Sequence, residues 1–241
     1  MLTLHCGRAE DLFKLVPDHS VHAVICDPPY GVTRNKWDAI IPLDLMWQEL
    51  DRILTPNGAA IFTASQPFTS QLVVSNLSGF RHEWIWRKNK ASGHLNAKRA
   101  PMKAHESILV FAANGLTYTP QMELGHAPMN AYYTSHSGQN YGGAKVMAGG
   151  GSTQRYPKSV LDFAVVNNSD PEKFHPTQKP VSMLEYLVRT YTLEGHTVLD
   201  FAMGSGSTGE ACLNTGREFI GFELEEDMFQ LAKQRLEKHS C

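Results

Sequence analysis

The segment Asp200-Phe201-Ala202-Met203-Gly204-Ser205-Gly206-Ser207-Thr208-Gly209 follows the apolar run Thr197-Val198-Leu199 and opens a helical pattern that reaches about Asn214. A strand that turns through glycines into a helix is the repeating unit of a parallel α/β sheet, and few other architectures accept it. The glycines let a ligand approach the backbone closely. Nineteen residues after Gly204 comes Glu223, at the end of the next predicted strand, where a carboxylate can accept hydrogen bonds from ribose hydroxyls. A turn needed only for tight strand-to-helix packing would have no use for that acid. Turn and acid together read as a nucleoside-cofactor site. The spacing also satisfies G-x-G-x-x-G, so by itself it does not separate a dinucleotide dehydrogenase from another nucleoside-cofactor enzyme.

A second predicted strand, Val21-His22-Ala23-Val24-Ile25-Cys26, runs directly into Asp27-Pro28-Pro29-Tyr30. The prolines lack a backbone N–H and hold φ near −65°, so the segment is stiff and its carbonyls can face a ligand. An acid, outward carbonyls and an aromatic ring complement an amino group on a flat heterocycle, which brings two N–H donors and a π face. A nucleobase amine fits these groups. Cys26 is read as a strand core residue rather than a nucleophile, because free cysteine is commonly buried and the chain contains no Pro-Cys pair.

The remaining elements keep the same alternation. Leu43, Met46, Trp47, Leu50 and Leu54 recur at helical spacing, and Pro56-Asn57-Gly58 stops that helix before a strand at 59–62. A helix at 67–77, strands at 83–86 and 107–111, a helix at 182–192 and a closing helix from Glu226 complete the pattern. The basic polar segment 87–105 reads as a mobile functional loop, and from about Leu116 to Ser169 the apolar periodicity weakens among Gly, Ser, Asn, Tyr and Lys. At 241 residues this is one large α/β domain with an insertion. The expected division is 1–115, an inserted 116–172, and 173–241.

The formal net charge of −2 conceals an uneven distribution: residues 81–180 hold 12 Lys and Arg against 6 Asp and Glu, and the rest of the chain is acidic. A basic middle can track phosphates. The four cysteines form no C-x-x-C pair, so neither a disulfide framework nor a thiolate metal site is expected. No metal is called for. No apolar run approaches the roughly 20 residues that span a bilayer, and the start has no basic region followed by a signal-type stretch. The expectation is a cytoplasmic protein with no membrane partner.

Asp27-Pro28-Pro29-Tyr30, His175-Pro176-Thr177-Gln178-Lys179-Pro180 and the turn from Asp200 to Gly209, in this order, resemble the beta class of S-adenosylmethionine-dependent DNA amino-methyltransferases, and specifically prophage-like adenine methylases. The resemblance covers nearly the whole chain. It implies a Rossmann-like, doubly wound, circularly permuted α/β fold. Its sheet would have seven mostly parallel strands with one antiparallel, residues 107–111 against 83–86, and an inserted target-recognition region. It implies S-adenosylmethionine as cofactor, with Asp200, Phe201, Gly204, Ser205 and Gly206 at its methionine half, Glu223 on its ribose, and Thr177 and Lys179 completing the site. Relatives carry Gly-Asp near the first strand where this chain has Gly7-Arg8, which leaves Glu10 or Asp11 as stand-ins for the contact to the cofactor's adenine.

The implied catalytic residues are Asp27, Pro28, Pro29 and Tyr30. An aromatic amine delocalises its lone pair, and acceptance of its two hydrogens by the Asp27 carboxylate and the Pro28 carbonyl would free that pair for direct displacement at a sulfonium methyl. The substrate expected is double-stranded DNA, with the base flipped out and stacked on Tyr30. Lys88, Lys90, Lys98, Arg99, Lys103 and Arg155 are candidates for DNA contact, and Tyr132, Tyr133, His136, Asn140 and Tyr141 for base reading. Asp at position 27 favours N6 of adenine. N4 of cytosine is the alternative, ahead of a non-catalytic DNA binder or a nicotinamide-dependent dehydrogenase. A homodimer is left open.

Overall fold

The computed structural model describes residues 1–31, 40–136, 145–167, 169–170, 173–174 and 177–239. Asn140, Tyr141, His175 and Pro176 lie outside the described residues. The chain divides into two compact units, one formed by 1–119 with 159–241 and the other by 120–158.

In the larger unit the order is β1 (Leu2–Cys6), α1 (Ala9–Leu12) with a 3-10 turn at Phe13–Leu15, β2 (Val21–Cys26), α2 (Leu43–Ile53), β3 (Leu54–Ala64), α3 (Phe68–Ser75), β4 (Phe80–Ser92) and β5 (Lys103–Phe111). The smaller unit contributes β6 (Tyr132–His136) and β7 (Lys145–Gly149), an antiparallel pair. Then come β8 (Val160–Asp162), α4 (Val181–Tyr191), β9 (Thr197–Asp200), α5 (Ser207–Asn214), β10 (Glu218–Glu223) and α6 (Glu226–His239).

The large sheet runs β1-β10-β9-β2-β3-β5-β4-β8. Only β5 runs against the others, paired antiparallel with β3 on one side and β4 on the other. The mostly parallel sheet with 107–111 reversed against 83–86 matches the expected fold. The strand count does not, because β8 makes eight strands among the described residues rather than seven. β8 has three residues, too few to display a period, and its place is fixed by pairing: Ile85 N–H donates to Ser159 O at 2.7 Å, and the Arg87 guanidinium bonds Asp162 at 2.5 and 2.6 Å. β8, within the expected insertion 116–172, thus belongs to the sheet, and the smaller unit covers 120–158.

Alternation along β2 sends Ala23 and Ile25 to one face and Val24 and Cys26 to the other, and each face buries its own cluster. Met183, Leu187 and Val188 of α4, Ala211 of α5 and Leu236 of α6 cover the first. Phe13, then Met46, Leu50 and Ile53 of α2, and Phe68 and Leu72 of α3 cover the second. Near-continuous burial of β2 reflects helices on both sides of a parallel strand.

β2 and β9 lie side by side and lead to opposite halves of the sheet, β2 through α2 to β3 and β9 through α5 to β10. Loops at such a switch point part company and leave a crevice at the carboxyl ends of the strands. Asp27 and Asp200 close those two strands. The segment 87–105 corrects the reading of a loop: the ladder continues to Arg87 opposite His105 and resumes at Ser92 opposite Lys103, leaving 93–102 as the tip. Its residues from 89 to 105 are all exposed, and a solvated hairpin carries the polar composition of a loop.

Candidate active site

The crevice encloses a cavity of about 570 Å³, lined entirely from the larger unit. At one end stands Asp27. Its Oδ1 accepts the Tyr30 hydroxyl at 2.5 Å and also the Thr63 hydroxyl, while Oδ2 accepts the Lys179 ammonium. The Tyr30 ring stacks on Phe68 at 5.2 Å, which fixes it beside the acid. Pro28 is buried, Pro29 is partly exposed, and both line the cavity.

Lys179, 9% exposed, also stands 3.6 Å from Oε2 of Glu106. Burial opposes its charge, but the Asp27 and Glu106 carboxylates more than offset this and hold its pKa above the ordinary value. Glu106 in turn pairs through Oε1 with Lys88, whose ammonium lies over the Trp86 ring. Asp27, Lys179, Glu106 and Lys88 therefore form a chain of alternating charge, of which the first three line the cavity.

The adjoining wall is built by the glycine turn, which follows the neighbouring strand β9. Asp200, 3% exposed, accepts the Ala202 N–H at 3.1 Å, and burial raises its pKa from 3.8 to about 6 although hydrogen bonds from Thr208, Ala202 and Cys26 pull the other way. Glu223 accepts the N–H groups of Gly204 and Glu225, each at 2.9 Å, and burial raises its pKa. Gly204 has φ +49° and open space where a Cβ would stand. Behind the turn, Arg235 donates to Ser205 O at 3.0 Å and pairs with Glu210 at 2.6 Å, tying α6 to α5.

Of the residues read from sequence, Asp27, Pro28, Pro29, Tyr30, Thr177, Lys179, Asp200, Phe201, Gly204, Ser205 and Glu223 line this one cavity. Gly206 does not. It caps α5 with φ +76°, and its missing Cβ would meet Ala232 and Leu236 at 3.3 Å, so its role here is helix packing. Arg8 pairs with Glu10 at 2.7 Å and both reach the cavity, whereas Asp11 does not line it.

The cations expected on DNA separate. Lys88 is bound to Glu106, Lys90 donates to Asn167 at 2.7 Å, and Lys103 to Ser65 at 3.4 Å. Lys98 and Arg99 lie exposed on the hairpin tip. Arg155 donates to the carbonyls of Ser152, Gln154 and Ala127, and so braces the smaller unit internally. There, Tyr132 and Tyr133 are exposed.

Glu106, Leu224 and Met228, which line the cavity, and Thr63, which bonds Asp27, went unseen in the sequence. Glu106 did carry a signal. It directly precedes the apolar run 107–111, and because β5 is reversed, its leading end falls on the same sheet edge as Asp27 and Asp200.

The family model described as "DNA methylase" (N6_N4_Mtase) matches residues 21–234. The chain belongs to this family. It is 44% identical over 265 residues to the type II methyltransferase M2.DpnII of Streptococcus pneumoniae, across 98% of this chain and 90% of that protein. It is 26% identical over 255 residues to the DNA adenine methyltransferase YhdJ of Escherichia coli (strain K12), across 98% of this chain and 82% of that one. Among solved structures, the M1.HpyAVI-SAM complex matches with TM-score 0.66 and 26% identity, covering 98% of this chain and 99% of its own.

S-adenosylmethionine suits the cavity chemically. Glu223 offers acceptors for ribose hydroxyls, Asp200 a carboxylate for a cationic amino-acid end, and Leu224 and Met228 apolar walls. Among the described residues no cluster of acids, histidines and cysteines could hold a metal ion, and no helix is long and apolar enough to cross a membrane.

Proposed function

We propose that this DNA methyltransferase acts on the N6 amino group of adenine. The observation that carries the reading is the Asp27 carboxylate at the cavity wall beside Pro28, fixed by Tyr30 and Thr63 with one oxygen facing an exchangeable partner. The Escherichia coli relative bears the name of an adenine methyltransferase, which agrees.

When bound, S-adenosylmethionine supplies an electrophilic sulfonium methyl group. Thr177, Asp200, Phe201, Gly204, Ser205 and Glu223 would hold it, whereas Lys179, expected among them from the sequence, instead bonds Asp27. The chain's own work is to present the amine. Asp27 accepts one amino hydrogen and the Pro28 carbonyl the other, which localises the nitrogen lone pair toward the cofactor end. After transfer the nitrogen is cationic and acidic, so its surplus proton leaves to Asp27 or to water. No covalent bond to the protein is needed.

Flipping the base out of a duplex costs a few kcal/mol, offset by phosphate contacts. Lys98, Arg99 and Lys103 are suited to this. The β4–β5 hairpin projects from the edge that carries Asp27, since β4 ends there and β5 begins there. Incubation with S-adenosylmethionine and unmodified DNA, then digestion to nucleosides and mass spectrometry, tests the reading. N6-methyladenine is expected, and N4-methylcytosine in its place would overturn the adenine assignment while keeping the family.

A further inference from the structure

Asp27 is engaged before any base arrives. Oδ1 holds two hydroxyls and Oδ2 holds the Lys179 ammonium, so an incoming amino group must displace one of them. The hydroxyls of Tyr30 and Thr63 share Oδ1, whereas Oδ2 has the Lys179 ammonium, so exchange at Oδ2 leaves both hydroxyls in place. Lys179 cannot simply withdraw into water, because it is buried. A buried ammonium needs a second anion within reach.

Glu106 meets that need. Its Oε1 is held by Lys88, whereas its Oε2 is buried, has no hydrogen-bond partner among the described residues, and lies 3.6 Å from the Lys179 ammonium. A carboxylate with one pinned oxygen and one open oxygen, directed at a lysine already shared with the catalytic acid, is an acceptor in waiting. We propose that Glu106 is a positioning residue that takes the Lys179 ammonium from Asp27 as the target amine binds. This rests on the methyltransferase reading above and goes beyond it by giving Lys179 and Glu106 roles on the DNA side of the pocket.

The exchange conserves charge inside the cavity. Before it, one ammonium bridges two carboxylates asymmetrically, and after it the ammonium belongs to Glu106 while Asp27 binds the neutral amine. No proton moves. Removing the Glu106 charge should trap Lys179 on Asp27, and removing Lys179 as well should release Asp27 again. The two substitutions therefore should not simply compound.

The test compares the parent, Glu106→Gln, Lys179→Met, the double variant and Glu106→Asp. The substrate is a duplex with one mapped target adenine, and a matching duplex carries purine, which lacks the amino group. Two readouts are taken: the affinity ratio of the two duplexes without cofactor, and the single-turnover methylation rate. Glu106→Gln should lose the parent's preference for adenine and slow transfer by roughly 30-fold or more, with the double variant recovering about fivefold over it. Glu106→Asp should keep most of the rate, and cofactor affinity should stay near parental in Glu106→Gln, whose melting temperature should fall because Lys88 loses its carboxylate, so rates are compared at a temperature where every variant is folded.

Losses that multiply in the double variant, or a parental adenine preference in Glu106→Gln, would overturn the exchange. A parent that methylates N4 of cytosine would instead overturn the adenine reading beneath it, and the same comparison, made with a mapped target cytosine against a pyrimidin-2-one that lacks the amino group, would then report on Glu106 separately.

Discussion

At the proposed cofactor end of the pocket backbone N–H groups contribute to holding both carboxylates, Gly204 and Glu225 on Glu223 and Ala202 on Asp200, which Thr208 and Cys26 also bond, whereas at the proposed base end the partners of Asp27 are the side chains of Tyr30, Thr63 and Lys179. Backbone donors neither titrate nor change rotamer, so the cofactor end is preorganised by the turn itself. Side-chain partners can leave. The difference suits the two proposed occupants: a cofactor bound intact, and a base turned out of a duplex with its amine hydrogens drawn away.

The largest expected effect lies at the exchangeable end. Asp27→Ala should lower the methylation rate by about a thousandfold or more while cofactor affinity stays within about threefold of the parent. Equal losses in both would show that the two ends are one coupled unit and break the comparison.

Next comes Asp200, with a sign that can be worked out. Its pKa is raised from 3.8 to about 6 in the folded chain. Below pH 4 both states hold the proton and no penalty exists. Between pH 4 and 6 the unfolded chain ionises first, so stability falls as pH rises, and above pH 6 a penalty of about 3 kcal/mol persists. Asp200→Asn should therefore melt higher than the parent without cofactor at pH 7.5, and the two should converge below pH 4. Cofactor affinity should move the opposite way. A cationic amino-acid end favours ionised Asp200, so parental affinity should tighten about tenfold from pH 5 to 7.5 and Asp200→Asn should show a flat profile. Parallel profiles would remove Asp200 from cofactor binding.

The two glycines of the turn sharpen the same contrast within a few residues. Gly206→Ala places a methyl group 3.3 Å from Ala232 and Leu236 at φ +76°, and should destabilise the fold by about 1–2 kcal/mol, read by urea unfolding. Gly204→Ala meets no atom within 4 Å, so steric conflict with the protein is absent and only the φ of +49° resists it. Its loss should appear chiefly as weaker cofactor binding, several-fold against the parent by calorimetry.

The two ends were not equally legible in the sequence. Asp200, Gly204 and Glu223 lie on one strand-turn-helix-strand unit, and their spacing alone implied their meeting. Asp27 was legible because the prolines after it are chemically distinctive. Glu106 meets Lys179 only through the reversal of β5, and Thr63 reaches Asp27 only through the pairing of β2 with β3. Such contacts depend on sheet order, which local sequence does not encode. Gly206 shows the converse, since one short turn holds a glycine for the ligand and a glycine for the helix behind it. The hairpin was misread for a third reason: a two-stranded projection with both faces in water has no apolar alternation to display.

That hairpin supplies the smallest expected effect. Lys98 and Arg99 lie on its exposed tip, outside the cavity and far along the chain from the glycine turn. If they meet phosphates, their contribution is electrostatic and sequence-independent. The Lys98→Ala/Arg99→Ala pair should weaken DNA binding by about tenfold near 0.1 M salt and flatten the log-log salt dependence by about 2. Single-turnover transfer at saturating DNA should stay near parental, because neither residue touches the amine or the cofactor. Rate and salt slope thus report on different parts of the protein. A slower saturated step with an unchanged slope would mean that the tip acts on the extruded base rather than on phosphate, and would move the boundary of the exchangeable end outward from Lys179 to the hairpin.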